Sequence, residues 1–433
     1  MENKNIHKSE KDNKTKNLQE RALDGVIVLE YCSMVSGPYC TKTMADLGAE
    51  VIKIEPPVDG DLARRMPPFP GDKPHLEKSG LFFYLNTNKQ GITLDPETPE
   101  GKQIFLELIK TADILVEDHP PGDMERMGLG YEDLRAINKG LIVTSITPFG
   151  LTGPYRDYKG RALNISHASG QAYLLPLLSP NADRPPVKAG GNTSDYDPGL
   201  VAVVAVLAAL YWKGISGRGQ RIDMSKQEAL ISMQRVESVT YANDEVVMTR
   251  TGNKTRMPGG VLPCKDGHIV VITPEEHQWN ALMTLIGNPG WSKEPWCGDR
   301  EARAQHVDAI NKLLIEWTKQ HTKDEIFRKG QALSCPVSPT RSAEDLINSE
   351  QLKDRGFFAE VTHPFLGPLK MPTSASRFAE SPWRFERPAP LLGESNEEIY
   401  CERLGYKKEE LEMLKTKGVI SNEAWTFKRR ETY

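Results

Sequence analysis

Residues 25–30, Gly-Val-Ile-Val-Leu-Glu, form a β-branched run too short for a helix, and a Gly-Pro pair follows at Gly37-Pro38. Proline fits the first turn of a helix, and Gly48 supplies a C-terminal stop. A second β-branched run, residues 51–54, comes next. Strand, helix and strand within about 30 residues make a βαβ unit, whose strands must be parallel and whose crossover is right-handed. The pattern continues, predicting a helix over 101–111, a strand over 114–117, a helix over 131–137, and strands over 141–146 and 221–224. This alternation predicts an α/β fold with a mostly parallel, Rossmann-like sheet. The loop after the first strand has no G-x-G-x-x-G, so a dinucleotide site is not expected.

A second feature stands out at 190–212. Two glycines and a polar turn lead to Asp195, Asp197, Pro198 and Gly199, and Leu200 to Trp212 then contains no charged residue. That apolar length is too short to span a bilayer and suits a buried helix. Asp195 and Asp197 would sit at or just before its N-terminus, where unpaired N–H groups favour negative charge. Spacing alone favours a helix cap; the alternative is a carboxylate nucleophile at the mouth of a core helix.

Character changes after about residue 230. A helix is expected over 227–239 and a hairpin over 261–272 around Lys265-Asp266-Gly267, followed by helices from 275 to about 350, one of them over 302–320. The domain reading is therefore a disordered polar tail (1–20), the N-terminal part of a large α/β domain (21–244), a smaller α+β domain (245–345), and a C-terminal part that returns to the large domain (346–433). That last part holds a Pro-rich arm over 378–392 and a helix near 396–404.

Composition narrows the function. The net charge of -4 over 433 residues gives no basis for nucleic-acid binding. No apolar run reaches membrane-spanning length, and the N-terminus lacks an apolar signal core. The six cysteines (Cys32, Cys40, Cys264, Cys297, Cys335, Cys401) include no CxxC pair. They read as free thiols in a reducing, cytoplasmic setting, with no zinc or other metal site.

The segments LDGVIVLE, SGP, DLGAEVIKIEPP, GD with Arg64, NTNKQGITLD, ADILVEDHPPG, RMGLGYEDL and SGRGQRIDMS, in this order, closely resemble the family III CoA-transferases. That group includes formyl-CoA transferases, carnitine CoA-transferases and the α-methylacyl-CoA racemases. The resemblance implies CoA transfer from an acyl-CoA donor to a carboxylic acid, with CoA as substrate and no permanently bound cofactor. It also implies an intertwined dimer, either a homodimer or a heteromer with a homologous subunit. It places the catalytic aspartate on Asp195, with Asp197 two residues too late. Such a carboxylate attacks the thioester to give a mixed anhydride, which CoA thiolate opens to an aspartyl-CoA thioester.

By the same match, Arg64, Lys89, Arg126 and Lys159 are expected to contact CoA. Asp118 and His119 replace an Asn-Phe pair that flanks the nucleotide. Pro258, Gly259 and Gly260 resemble the family's glycine loop, which shields the anhydride from water. Val35 replaces a glutamine, which implies a more apolar acyl pocket than in the oxalate enzymes, as in the aromatic-degradation branch that includes benzylsuccinate CoA-transferase subunits. A racemase is disfavoured: its GHD motif is here Gly160-Arg161-Ala162, and His167, six residues on, reads as a core or surface residue. A supporting subunit of a heteromeric transferase is the other alternative.

Overall fold

The computed structural model describes residues 21–177, 183–233, 235–250 and 257–422; the tail expected over 1–20 lies outside them. The chain forms two compact units. The first takes the chain up to Tyr173, then Val187–Ser238, then Phe357 onward; the second takes Leu174–Pro186 and Val239–Gly356. Residues 174–186 therefore join the second unit, although no local pattern in the sequence ties them to it.

The first unit is built on a parallel sheet of six strands: β1 (Ile27–Tyr31), β2 (Glu50–Glu55), β3 (Lys89–Thr93), β4 (Ile114–Glu117), β5 (Ile142–Thr147) and β6 (Arg221–Ser225). The spatial order is β3-β2-β1-β4-β5-β6, the doubly wound order of a Rossmann fold. Strand direction of travel across the sheet reverses between β1 and β4, where Val28 pairs with Ile114 and Tyr31 with Glu117.

Alternate strand residues serve opposite faces. Leu29 and Ile52 join one core with Ile104, Phe105 and Leu108 of the helix Pro99–Ile109, and with Ile399, Tyr400, Leu411 and Leu414 from the C-terminal segment. Val28 and Val51 join the other core with Cys40 and Met44 of the helix Ser36–Asp46 and Ala202, Val203, Val206 and Ala209 of the helix Thr193–Ser216. Each such side chain, once buried, contributes about 1.5–3 kcal/mol if it is as large as valine or leucine.

The long helix differs from its sequence reading. It begins at Thr193, ahead of Pro198, and runs to Ser216. It is also not buried all round: Val204 is 66% exposed and Tyr211 76%. By length and composition it could cross a membrane, although the uninterrupted apolar run inside it could not. Its small residues commit one face to the sheet.

The C-terminal segment opens with an antiparallel pair, β10 (Phe358–His363) and β11 (Gly367–Pro372). It then runs beside β3: Asn88 N–H donates to Arg387 O at 3.0 Å, and Ser395 N–H to Gly91 O at 2.9 Å. A π-helical turn, Glu398–Arg403, stands where a helix was expected over 396–404.

In the second unit β7 (Gly259–Cys264), β8 (Gly267–Ile272) and β9 (Val337–Pro339) form an antiparallel sheet. Leu262, Ile269 and Val337 pack with Trp279, Ile310 and Leu314 from its helices. The helix expected over 302–320 is two, Arg300–Gln305 and Val307–Thr318, with His306 between them in a non-helical conformation.

Candidate active site

Ligands of doubly wound sheets bind outside the carboxyl ends of the strands, at the point of reversal. Here that point is the loops after β1 and β4. Ser33 N–H, after β1, donates to both carboxylate oxygens of Asp118, after β4, at 3.1 Å. Burial pushes the Asp118 carboxyl up to about 6, against the pull of His119, Lys226 and the Ser33 N–H. His119 lies against the ring of Tyr31, with centroids 4.1 Å apart. Its Nδ1 is 3.5 Å from Glu117 Oε2, without a hydrogen bond among the described residues. Burial opposes its protonation, but the carboxylates of Glu117 and Asp118 prevail and hold it above the usual histidine range. A small recess lined by Glu117, His119, Gly122, Met124, Ser145 and Arg221 lies beside these residues.

Asp195 sits in the first turn of the long helix, with Asn192 as N-cap. It does not cap that helix through its side chain. Asp195 Oδ1 instead accepts from Lys226 Nζ at 3.1 Å, in a pair 17% and 18% exposed, and Oδ2 has no partner among the described residues. The backbone is tied down separately: Ser36 Oγ donates to Asp195 O at 2.9 Å. Gly199 permits this close approach, because a Cβ there would lie 2.7 Å from Ser36 O. Next in the chain, the ring of Tyr196 meets that of Tyr39 edge-on at 4.7 Å, and Tyr84 completes an aromatic trio. Burial, with Tyr39 and Asp195 nearby, pushes the Tyr196 phenol up to about 12. Asp197 takes only a long contact, 3.4 Å, from Gln171 Nε2.

Two of the expected CoA contacts lie inside the fold. Arg64 is wholly buried and bound to Glu55 and Glu77 at 2.7 Å. Its guanidinium also donates to Pro390 O at 3.0 Å and lies 3.7 Å above the ring of Phe82. Lys89 is equally buried, bound to Glu30 at 2.7 Å, and donates to Pro38 O and Asn86. Lys53 shares Glu30 and adds Asp61, also at 2.7 Å. Buried cations need such partners, and these have none of their donors facing solvent. They brace the loops after β1 and β2: Asp61 Oδ1 accepts from Ser33 Oγ and from Met34 N–H.

Arg126 and Lys159 are exposed. Arg126 pairs with Asp123 at 2.7 Å. Arg161 is the exposed N-cap of the helix Ala162–Ala168, and His167 is exposed on it. In the second unit, Pro258 precedes β7, and Gly259 and Gly260 open it with φ of 109° and 84°. A Cβ on Gly259 would meet Val271 O at 2.4 Å.

Lys226 and Ser33 escaped the sequence reading, and Asp61 entered it only as part of the GD segment, with no role assigned. Lys226 follows directly on the recognised SGRGQRIDMS segment, and that adjacency was the one available clue. All six cysteines are free, and the described residues hold no cluster suited to a metal.

The family model described as CoA-transferase family III matches residues 23–396. A formyl-CoA:oxalate CoA-transferase from Streptomyces avermitilis is 33% identical over 418 residues, covering 92% of this chain and 100% of the relative. A succinyl-CoA–D-citramalate CoA-transferase from Chloroflexus aurantiacus is 32% identical over 403 residues, covering 92% and 98%. The crystal structure of a CAIB/BAIF family protein from Brucella suis superposes with a TM-score of 0.80 at 30% identity, covering 89% of this chain and 100% of that one. A doubly wound sheet, together with a family model and relatives spanning nearly the whole length, leads to one assignment: the chain belongs to CoA-transferase family III, enzymes whose substrates are CoA thioesters.

Proposed function

We propose that the chain moves CoA from an acyl-CoA to a carboxylic acid through covalent intermediates on Asp195. The observation that carries this reading is the Asp195 carboxylate itself. It stands at the head of a core helix, partly open to solvent, with one oxygen held by Lys226 and the other without a partner among the described residues. Oδ2 attacks the donor thioester and expels CoA thiolate, leaving a mixed anhydride. The thiolate attacks Cγ and expels the donor acid, leaving an aspartyl-CoA thioester. The acceptor acid then repeats the steps in reverse, so the thioester bond energy is conserved.

CoA is proposed to lie at the β1/β4 switch point beside Asp118 and His119, with the exposed cations Arg126 and Lys159 meeting its phosphates. Val35 and the Tyr39–Tyr84–Tyr196 trio favour acids less polar than oxalate, among them aromatic acids such as benzylsuccinate. A second copy, or a homologous chain, is proposed to cover the exposed apolar face of the long helix. The free thiols suit the reducing cytoplasm.

The test uses the purified chain with formyl-CoA and succinyl-CoA as donors and oxalate, citramalate and benzylsuccinate as acceptors, read by mass spectrometry. Asp195→Asn is expected to remove transfer while binding of CoA esters persists, and Asp197→Asn to keep most of it. With wild type, hydroxylamine added during turnover should convert Asp195 to its hydroxamate. Full turnover by Asp195→Asn, or a hydroxamate on Asp197, would overturn the assignment.

A further inference from the structure

Lys226 is the residue after β6 and the first of the helix Lys226–Met233, so its backbone stands at the carboxyl edge of the sheet. Its ammonium reaches Asp195 Oδ1 at 3.1 Å, and that is its one described hydrogen bond. Its charge also acts on the carboxylate of Asp118. A mostly covered ammonium has thus been placed on one oxygen of a carboxylate whose other oxygen has no partner among the described residues.

We propose that Lys226 is a catalytic residue of the transfer, selecting Oδ2 as the attacking atom and stabilising negative charge on Oδ1 whenever a nucleophile adds to Cγ. This rests on Asp195 being the nucleophile. Of the four additions in a complete transfer, the first and last occur at substrate carbonyls, and Oδ1 is a spectator in both. The middle two occur at Cγ. CoA thiolate adds to Cγ of the anhydride, the C=O electron pair moves onto Oδ1 beside the ammonium, and the pair returns as the donor carboxylate leaves. The acceptor carboxylate then adds to Cγ of the thioester, charge again resides on Oδ1, and thiolate leaves. No proton changes hands in either step, so a fixed ammonium is what the site requires. A preorganised donor at a developing oxyanion acts without reorganisation at the moment of reaction, and loss of one such donor costs about 100- to 1000-fold in kcat.

The role makes a specific demand on the intermediates. Without the ammonium the anhydride still forms, but its conversion to the aspartyl-CoA thioester slows. Wild type, Lys226→Gln and Lys226→Arg would each be mixed with succinyl-CoA, quenched in acid within the first turnovers, and analysed by intact mass, where a succinyl adduct and a CoA adduct differ plainly. Circular dichroism would verify the fold of each. Lys226→Gln is expected to lose about 100-fold or more in kcat with little change in KM, and to shift the adduct from CoA towards succinyl. Lys226→Arg is expected to return part of the rate and the wild-type partition.

An unchanged partition in Lys226→Gln, with kcat within a few-fold of wild type, would overturn the role of Lys226 and leave the Asp195 reading intact. If Lys226→Gln fails to fold, Lys226→Arg decides: a wild-type partition supports the role, and a succinyl-rich partition despite the retained charge and fold overturns it. No adduct on wild-type Asp195, or turnover by Asp195→Asn, would overturn both proposals together.

Discussion

Arg64 and Lys226 show how little a residue type discloses of its role. Arg64 lies in a family motif, yet its charge is spent on Glu55 and Glu77 inside the fold. Lys226 has no such pedigree and reaches the carboxylate on which the chemistry is proposed to occur. Arg64→Ala should therefore act on stability and not on affinity. It strands two buried carboxylates, at a cost of about 3–5 kcal/mol, which urea denaturation would detect; calorimetry on the folded fraction should find CoA-ester binding little changed. Asp118 makes a second case. Its carboxyl is held at about 6, against 3.8 in the free side chain, so the folded chain binds this proton more tightly than the unfolded one. The stability this confers is complete below about pH 4 and is lost as pH rises through about 6. Asp118→Asn removes the titration. Its stability relative to wild type should grow across that window and level off above it, by about 3 kcal/mol at most. A flat difference between pH 4 and 7 in thermal melts would count against the assignment. A lone sequence could expose neither case, because burial and partners come from segments far apart in the chain.

Among the elements, the parallel strands were the most legible. Strands buried on both faces read as continuous β-branched runs, as in β1, β2 and β4. β3, Lys-Gln-Gly-Ile-Thr, was illegible for the opposite reason: its buried Lys89 is neutralised by Glu30 of β1, two strands away in the sheet, which no local pattern records. The long helix was misplaced at its start because Pro198 reads as a first-turn residue. The helix takes the proline in its second turn, so Asp195 lies within it and Asn192 takes the cap. Its close packing on the helix Ser36–Asp46 depends on Gly199. Gly199→Ala should cost about 1–3 kcal/mol by overpacking and shift the Asp195 backbone, seen as a lower melting temperature and a lower kcat. Gly214 is the control, since a Cβ there meets nothing within 4 Å. Gly214→Ala should be neutral or stabilising by up to about 1 kcal/mol.

For the whole molecule, the inclusion of 174–186 in the second unit depends on packing alone. The long helix also leaves Val204, Tyr211, Trp212 and Ile215 exposed along with its buried face. Contiguous apolar surface of this kind marks an association site. Analytical ultracentrifugation at micromolar concentration should give a dimer, and Val204→Glu with Ile215→Glu should weaken it without unfolding the chain. A monomer in wild type would count against the proposed assembly.

The link from Arg64 to Pro390 spans 326 residues of sequence. Tyr400 likewise closes the core by donating from its hydroxyl to Thr93 O at 2.7 Å. A ribosome adds roughly 5–20 residues per second, so β3 and the face of the sheet beside it wait tens of seconds for the segment that covers them. During that interval the nascent chain presents an open strand edge and the apolar face that Ile399, Tyr400, Leu411 and Leu414 later cover. The second unit, encoded in between, can complete its own core first. The order of synthesis thus opposes the order of assembly in the large unit, which makes its newborn N-terminal half a natural client for a holding chaperone.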